Sequence, residues 1–113
     1  MTVDAISLAA KALDGLHMRQ AALAYNLANL STPGFQPVEL DFEQSLRAAA
    51  AQGPAALEGL RFAFRLGKPL QAGDEPRQDL MLVDASNNAM HYAALADMTS
   101  RRLAIASAAI GGR

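Results

Sequence analysis

Apolar residues recur every three or four positions in the first part of the chain. From Asp4 to Leu30 these steps alternate regularly, which forms the heptad seam of a helix that packs along another helix. Gln20 is the one polar residue in this seam. The seam consists of Ile6, Ala9, Leu13, Leu16, Gln20, Leu23, Leu27 and Leu30. The spacing therefore predicts a long N-terminal helix over residues 4–30.

The last third of the chain carries two apolar stripes at helical spacing. The first stripe consists of Leu80, Val83, Asn87, Met90, Ala94, Met98 and Ile105. The second stripe consists of Ala85, Ala89, Tyr92, Ala96, Thr99, Leu103, Ala106 and Ile110. A helix that is apolar on two faces usually lies between two neighbours. The pattern predicts a C-terminal helix over residues 80–110 that pairs with the first helix through one stripe and leaves the other for further protein.

Proline and glycine interrupt the helical pattern between these segments. Residues 31–40 read as a Pro-Gly turn segment, and Asp41 with Gln44 predicts a capping box that opens a short helix over residues 41–52. Residues 53–79 read as a flexible, partly disordered loop, with a brief strand at 61–66 as a minor possibility. The predicted fold is mainly α, one domain over residues 1–113, with the two terminal helices paired as a coiled-coil-like hairpin.

Composition narrows the functional classes. Only 5% of the 113 residues are aromatic, whereas 51% are hydrophobic, so much of the apolar content is alanine, leucine and methionine, which favour helices. The net charge of −1 gives no reason to expect nucleic acid or acidic lipid as a partner. The absence of cysteine excludes disulfides and thiol catalysis. No apolar run is long enough to span a membrane, and residues 1–30 lack the pattern of a cleavable signal peptide.

Catalysis and metal binding are not expected. His17 and His91 are the only imidazoles, and neither has a partner at the spacing of a known catalytic or metal site. No glycine-rich phosphate loop is present. Arg101 and Arg102 form the only basic pair, which is a weak footprint for nucleic acid. We therefore expect a protein that is not an enzyme and has no cofactor, metal or small-molecule substrate.

The stretch from Asn26 to Phe35 is the most informative in the chain. It reads Asn-Leu-Ala-Asn-Leu-Ser-Thr-Pro-Gly-Phe. Pro33 fixes the backbone at the second position of a turn, and Gly34 can adopt the positive φ that a type II turn needs at its third position. Asparagines at a helix end can bind freed carbonyls or reach a neighbouring element. The stretch therefore predicts a helix exit and a tight turn that returns Phe35 to the packed surface.

This stretch resembles the N-terminal signature of the flagellar rod, hook and hook-associated proteins, Asn-x-x-Asn-x-x-Thr-Pro-Gly-Phe. Two further elements are similar to this family: Leu40-Asp41-Phe42 after the turn, and Asn88-Ala89-Met90-His91-Tyr92 in the terminal helix. The matching residues are Asn26, Ala28, Asn29, Thr32, Pro33, Gly34, Phe35, Asp41, Phe42, Asn88 and Tyr92. Length and the Asp-Phe element favour the B type of proximal rod protein, with the C type as the near alternative.

The resemblance implies a structural subunit of the bacterial flagellar basal-body rod, which spans the periplasm and transmits torque from motor to hook. Such subunits polymerise through their terminal helices and are exported without a cleavable signal peptide. The implied partners are other copies, other rod proteins, the rod–ring junction protein at the inner-membrane ring and the flagellar type III export machinery. The residues expected to carry assembly are Ile6, Leu13, Leu16, Leu23, Leu27, Met90, Tyr92, Leu95, Met98, Leu103 and Ile105.

The seams alone also fit another class of protein. A non-flagellar coiled-coil adaptor, or a secreted interaction protein, would carry the same heptad pattern. Only the Asn26–Phe35 string separates the two interpretations at this stage.

Overall fold

The computed structural model describes residues 2–69 and 78–111. Within them, the chain forms four helices and one short two-stranded sheet. In chain order these are α1 (Ala5–Ala28), β1 (Val38–Glu39), α2 (Phe42–Gln52), α3 (Pro54–Gly59), β2 (Arg65–Leu66) and α4 (Gln78–Gly111). The two long terminal helices confirm the mainly α fold that the periodicity predicted.

Side chains define both ends of α1. The Asp4 carboxylate accepts hydrogen bonds from the Ser7 backbone N–H and hydroxyl, each at 2.8 Å. These bonds lower the pKa of Asp4 below its ordinary value, because they favour the charged carboxylate. At the other end the Asn29 N–H donates to the carbonyl of Asn26, and the last helical residue is Ala28. The helix thus ends two residues before the predicted Leu30, since the chain already turns there.

Helices α1 and α4 pack against each other in antiparallel orientation. Asn88 of α4 contacts Leu16 and Gln20 of α1. Thr99, which lies about three turns further along α4, lines the same groove as Ala9, which is closer to the start of α1. The pair makes the molecule elongated, with extents of 65 × 27 × 14 Å and a radius of gyration of 17.7 Å. A compact chain of this length would have a radius near 13 Å. The hairpin therefore exposes much of its length.

The two paired helices differ in length. Helix α4 has 34 residues and α1 has 24, which correspond to about 51 and 36 Å at 1.5 Å per residue. Ala5 and Arg102 line the same groove, so Arg102 lies near the beginning of α1 and the rest of α4 extends past it. We call residues 103–111 the α4 extension. Every residue in it is exposed.

The core forms where α2 crosses α1. Leu16, Leu40 and Phe42 are buried together at this crossing. Gly15 allows the close approach: a Cβ atom there would lie 2.4 Å from the Phe42 ring. The ring is also covered by the Arg19 guanidinium, 4.4 Å from its centroid, which is a cation–π geometry.

The start of α2 differs from the predicted capping box. Asp41 occupies the N-cap position, but its side chain makes no capping hydrogen bond, so the predicted interaction with Gln44 is wrong. Arg19 of α1 fixes this corner instead. Its guanidinium donates to Glu43 at 2.8 Å and to the Leu40 carbonyl at 3.1 Å. Tertiary contacts rather than local capping therefore position α2.

The centre of the chain is loop-rich as predicted, but the described part of residues 53–79 also contains a short helix and a two-residue strand. Helix α3 begins at Pro54 and buries Leu57 to 2% exposure. Lys11 of α1 donates to the carbonyl that follows it, Leu60, at 3.0 Å. Strand β2 then pairs antiparallel with β1, a shorter strand than the residues 61–66 considered from the sequence. Residues 70–77 of the predicted loop lie outside the described residues.

Replacing Gly15 by alanine tests the contact between α1 and Phe42. Overpacking at such a site costs roughly 1–3 kcal/mol, and the better helix propensity of alanine returns less than about 1 kcal/mol. We expect Gly15→Ala to lower the free energy of unfolding, measured by urea denaturation with circular dichroism. Gly59→Ala is the matched control, because nothing lies within 4 Å of its Cβ position. Equal stability of the two variants would contradict the close contact.

The ion pair between Arg19 and Glu43 predicts a pH dependence. Hydrogen bonding to Arg19 holds the pKa of Glu43 below its ordinary value of 4.5. This contribution to stability is therefore complete above about pH 4.5 and is lost as the pH falls through the lower pKa of the folded state. Glu43 is half exposed, so we expect only about 0.5 kcal/mol.

The measurement is the free energy of unfolding between pH 3 and pH 6, compared for the parent chain and Glu43→Gln. The variant should show a weaker decline in stability on acidification. Glu58→Gln on the exposed surface of α3 is the control and should follow the parent. Parallel curves for the parent and Glu43→Gln would rule out a stabilising pair.

Candidate assembly surface

Asn26 connects the end of α1 to β1 through both halves of its amide. Its Oδ1 accepts from the Val38 N–H at 2.9 Å, and its Nδ2 donates to the Val38 carbonyl at 2.8 Å. The side chain is 7% exposed, so these bonds replace bonds to water. One asparagine thus holds an extended strand against a helix, which explains why this position requires an amide.

The turn after α1 has the predicted geometry. The Phe35 N–H donates to the Thr32 carbonyl at 3.1 Å, and Gly34 has a φ of 70°. Phe35 is buried, with its ring centroid 5.6 Å from that of Tyr25. Of the other motif positions, Asn29 donates to the Tyr25 carbonyl at 2.9 Å. The remaining members are exposed: Ala28, Thr32, Pro33 and Gly34.

The other motif residues lie at three places along the hairpin. Phe42 is buried against Gly15, whereas Asp41 before it is exposed. Asn88 is buried in the interface between α1 and α4. Tyr92 lies one turn further along α4, 39% exposed, with its ring 6.4 Å from His17. The motif residues therefore do not meet at one pocket, and most of their contacts hold the fold together.

The first apolar stripe of α4 remains uncovered by the rest of the described chain. Its large side chains are 50% to 70% exposed: Leu80, Val83, Met90, Met98 and Ile105. From Leu80 to Ile105 this stripe extends about 38 Å along the helix. Contiguous apolar surface of this kind marks an interaction site.

The second stripe of α4 is covered only in part. Ala85, Ala96 and Thr99 are half-buried. In the α4 extension the same stripe continues with Leu103 and Ile110, which are 47% and 69% exposed. Helix α1 does not reach these positions. Both stripes of α4 are therefore open at its C-terminal end.

An apolar groove adjoins the base of the α4 extension. It has a volume of about 590 Å³ and lies between the first turns of α1, one face of α2 and the second half of α4. Ile6, Leu46, Leu95 and Met98 contribute its larger apolar side chains. The groove joins the uncovered stripe through Met98. Together they form one continuous surface, which we call the assembly surface.

The predicted assembly residues fall into two groups. Those on α1 are half-buried or buried within the chain itself: Ile6, Leu13, Leu16, Leu23 and Leu27. Leu95 of α4 is also half-buried, beside the core. The other predicted residues are exposed: Met90, Tyr92, Met98, Leu103 and Ile105. Most of the exposed apolar side chains among the predicted assembly residues therefore lie on α4.

Sequence reasoning missed Gly15 and Arg19, and it treated Gln20 only as a break in the seam. A glycine in the middle of a helical pattern signals a close approach, so Gly15 could have been recognised. Gln20 accepts a hydrogen bond from Asn88 at 2.8 Å, which only the pairing of the helices reveals. The role of Arg19 follows from the position of α2 and had no local signal.

Among residues 2–69 and 78–111, no three histidine, aspartate or glutamate side chains are grouped as a metal ion would require. No helix in the same ranges is long and apolar enough to cross a bilayer.

Replacing Asn26 tests its connection to Val38. In Asn26→Leu both backbone groups of Val38 would lose their partners, and each unsatisfied buried group costs roughly 1–3 kcal/mol. We expect a loss of about 2–4 kcal/mol in the free energy of unfolding, measured by chemical denaturation. Asn29→Leu removes two bonds at the exposed surface, one to the Tyr25 carbonyl and a long one from the Thr32 hydroxyl, and should cost less than about 1 kcal/mol. Similar losses for the two variants would contradict a special role for Asn26.

Curated proteins with sequences similar to this chain are rod proteins. Flagellar basal body rod protein FlgB of Yersinia enterocolitica is 33% identical over 73 residues, which cover 65% of this chain and 53% of that protein. The proteins of the same name from Proteus mirabilis strain HI4320 and Salmonella typhimurium are also 33% identical over 73 residues, which cover 63% of this chain and 53% of each relative. No protein-family profile matches the chain.

The chain spans about half the length of the curated relatives it matches. The relatives carry the same name in several organisms, and the resemblance expected from the Asn26–Phe35 motif is confirmed. The chain is similar in sequence to flagellar basal body rod protein FlgB.

Proposed function

We propose that this chain is a structural subunit of the proximal part of the bacterial flagellar basal-body rod. It assembles through its terminal helices, and the assembled rod is the drive shaft that transmits torque from motor to hook. The observation that carries the proposal is the Asn26–Phe35 motif, together with relatives that are named as basal-body rod proteins. The protein has no catalytic role in this scheme.

The assembly surface supports a polymerising role. A protein that acted alone would bury or avoid an apolar stripe of about 38 Å, because such a surface promotes association in water. Burial of apolar area contributes roughly 25 cal/mol per Å², so covering this stripe by neighbouring helices would stabilise contacts between subunits. Helical packing of this kind is also stiff along the helix axis, as a torque-bearing element requires.

The α4 extension supports contacts beyond the hairpin itself. Its Leu103 and Ile105 side chains are 47% and 70% exposed, so they are available for burial by another protein. We propose that the neighbours are other copies of this chain and other rod proteins. At the base of the rod the neighbour is the rod–ring junction protein of the inner-membrane ring. Delivery is through the flagellar type III export machinery, and the protein resides in the periplasmic rod.

Deletion of the gene in its host tests the function directly. Swimming would be scored, and isolated basal bodies would be imaged by electron microscopy, with complementation by the parent gene as control. Loss of rod, hook and filament, with the inner-membrane ring retained, is the expected result. Motile cells with intact hooks and basal bodies would overturn the proposal and favour a coiled-coil adaptor.

A charge on the assembly surface should block incorporation while the subunit still folds. Ile105→Glu places a carboxylate on a side chain that is 70% exposed, so the free chain should keep the stability of the parent. In complementation, Ile105→Glu should abolish swimming, because burial of an unpaired charge between subunits is strongly unfavourable. Ala104→Glu is the matched control and should restore swimming, because Ala104 is exposed and lies between the two apolar stripes, on the face that carries Asp97. Normal rods containing Ile105→Glu would exclude this stripe from assembly.

A further inference from the structure

Asn88 and Gln20 form a polar contact in the otherwise apolar interface between α1 and α4. Asn88 Nδ2 donates to Gln20 Oε1 at 2.8 Å and to the Leu16 carbonyl at 2.9 Å. Asn88 is only 5% exposed. Its Oδ1 is also buried but accepts no hydrogen bond from residues 2–69 or 78–111. An amide with one satisfied half and one unsatisfied half contributes little net stability to the folded state. Stability therefore does not explain why a polar residue lies at this position.

The apolar contacts alone define the alignment of the two helices poorly. The α1 seam repeats leucine at steps of three and four along its length, and the facing side of α4 is rich in small residues. Sliding α4 by one or two turns would still place apolar residues on apolar residues. Such repeating seams need a polar residue to select one register, as in coiled coils with a single buried asparagine.

We propose that Asn88 and Gln20 select the register of the α1–α4 hairpin. In a hairpin that has slipped in one direction, Asn88 would lie beside Leu13. In a hairpin that has slipped in the other direction, it would lie beside Leu23 and Leu27. In both cases its amide would lose the acceptor that Gln20 supplies. A buried donor without a partner is disfavoured by about tenfold or more in the equilibrium between registers. The contact therefore raises the free energy of the wrong alignments and does not increase the overall stability of the folded state.

The register has a geometric consequence. It fixes where α1 begins relative to α4, and hence how much of the α4 extension projects beyond the hairpin. A slip of one turn moves that boundary by about 5 Å. The groove formed by α1, α2 and α4 would change with it, because α2 is fixed to α1 through Phe42 and Arg19. The inference concerns the free chain and does not depend on the proposed function.

Distance measurements on the purified chain test this inference. The sequence has no cysteine, so Ala21→Cys and Ala93→Cys on exposed faces of α1 and α4 can carry nitroxide labels without further changes. Electron double resonance between the labels should give one narrow distance for the otherwise unchanged chain. In Gln20→Leu/Asn88→Leu we expect unfolding at the same or a higher urea concentration, since replacing a buried polar contact by apolar residues is often neutral or stabilising.

The label distances should nevertheless separate into two or more populations, displaced from one another by the shift of about one helical turn. The slipped population should increase about tenfold or more over that of the parent. Asn87→Leu is the matched control: it makes the same substitution at the neighbouring exposed asparagine and should keep a single distance.

Restoration of the pair in exchanged form, Gln20→Asn/Asn88→Gln, should recover one dominant distance. A leucine double variant that keeps the single narrow distance of the parent would overturn the inference. So would a leucine double variant that fails to fold, because the pair would then be required for stability and not for register.

Discussion

The antiparallel pairing of α1 with α4 is the interaction on which the rest of the structure depends. Each helix is too long to be covered by the small elements between them, so each needs the other to bury one face. Because α1 is shorter, it covers only part of one side of α4. The uncovered stripe, the α4 extension and the groove beside it all result from this mismatch in length. The surface that is open to other proteins is thus a direct consequence of the hairpin.

The middle of the chain stabilises one side of that hairpin. Asn26 binds β1 at the end of α1, Arg19 binds the corner before α2, and Gly15 admits the Phe42 ring. All three residues belong to α1. The contacts attach residues 35–66 mainly to α1 and leave the outer side of α4 free. A subunit built this way has one reinforced helix and one helix whose apolar surface remains available.

The motif residues and the assembly surface have different tasks in this arrangement. Asn26, Phe35 and Phe42 are buried and hold the turn segment in place. Met90, Met98 and Ile105 are exposed and have no role in the core. The signature around Asn26 and Phe35 therefore specifies how the chain folds at this turn. In the assembly that we propose, the contacts between subunits are made by other residues, which are apolar.

The sequence by itself determined the two long helices, the turn at Pro33 and Gly34, and the existence of a spare apolar stripe on α4. These follow from local rules: helical periodicity, the restricted backbone of proline and the positive φ that glycine allows. The sequence could not determine that Leu16 is buried while Met98 is exposed. Periodicity places both residues on apolar faces, and only the packing partners distinguish them. The predicted Asp41 capping box was wrong, and the helix α3 inside the predicted loop was missed, for a related reason. Leu57 and Glu43 are held by contacts with α1, more than 20 residues earlier in the chain, and such contacts leave no local pattern. Tertiary structure alone decided the register of the helices, since a repeating seam admits several alignments until Gln20 and Asn88 meet.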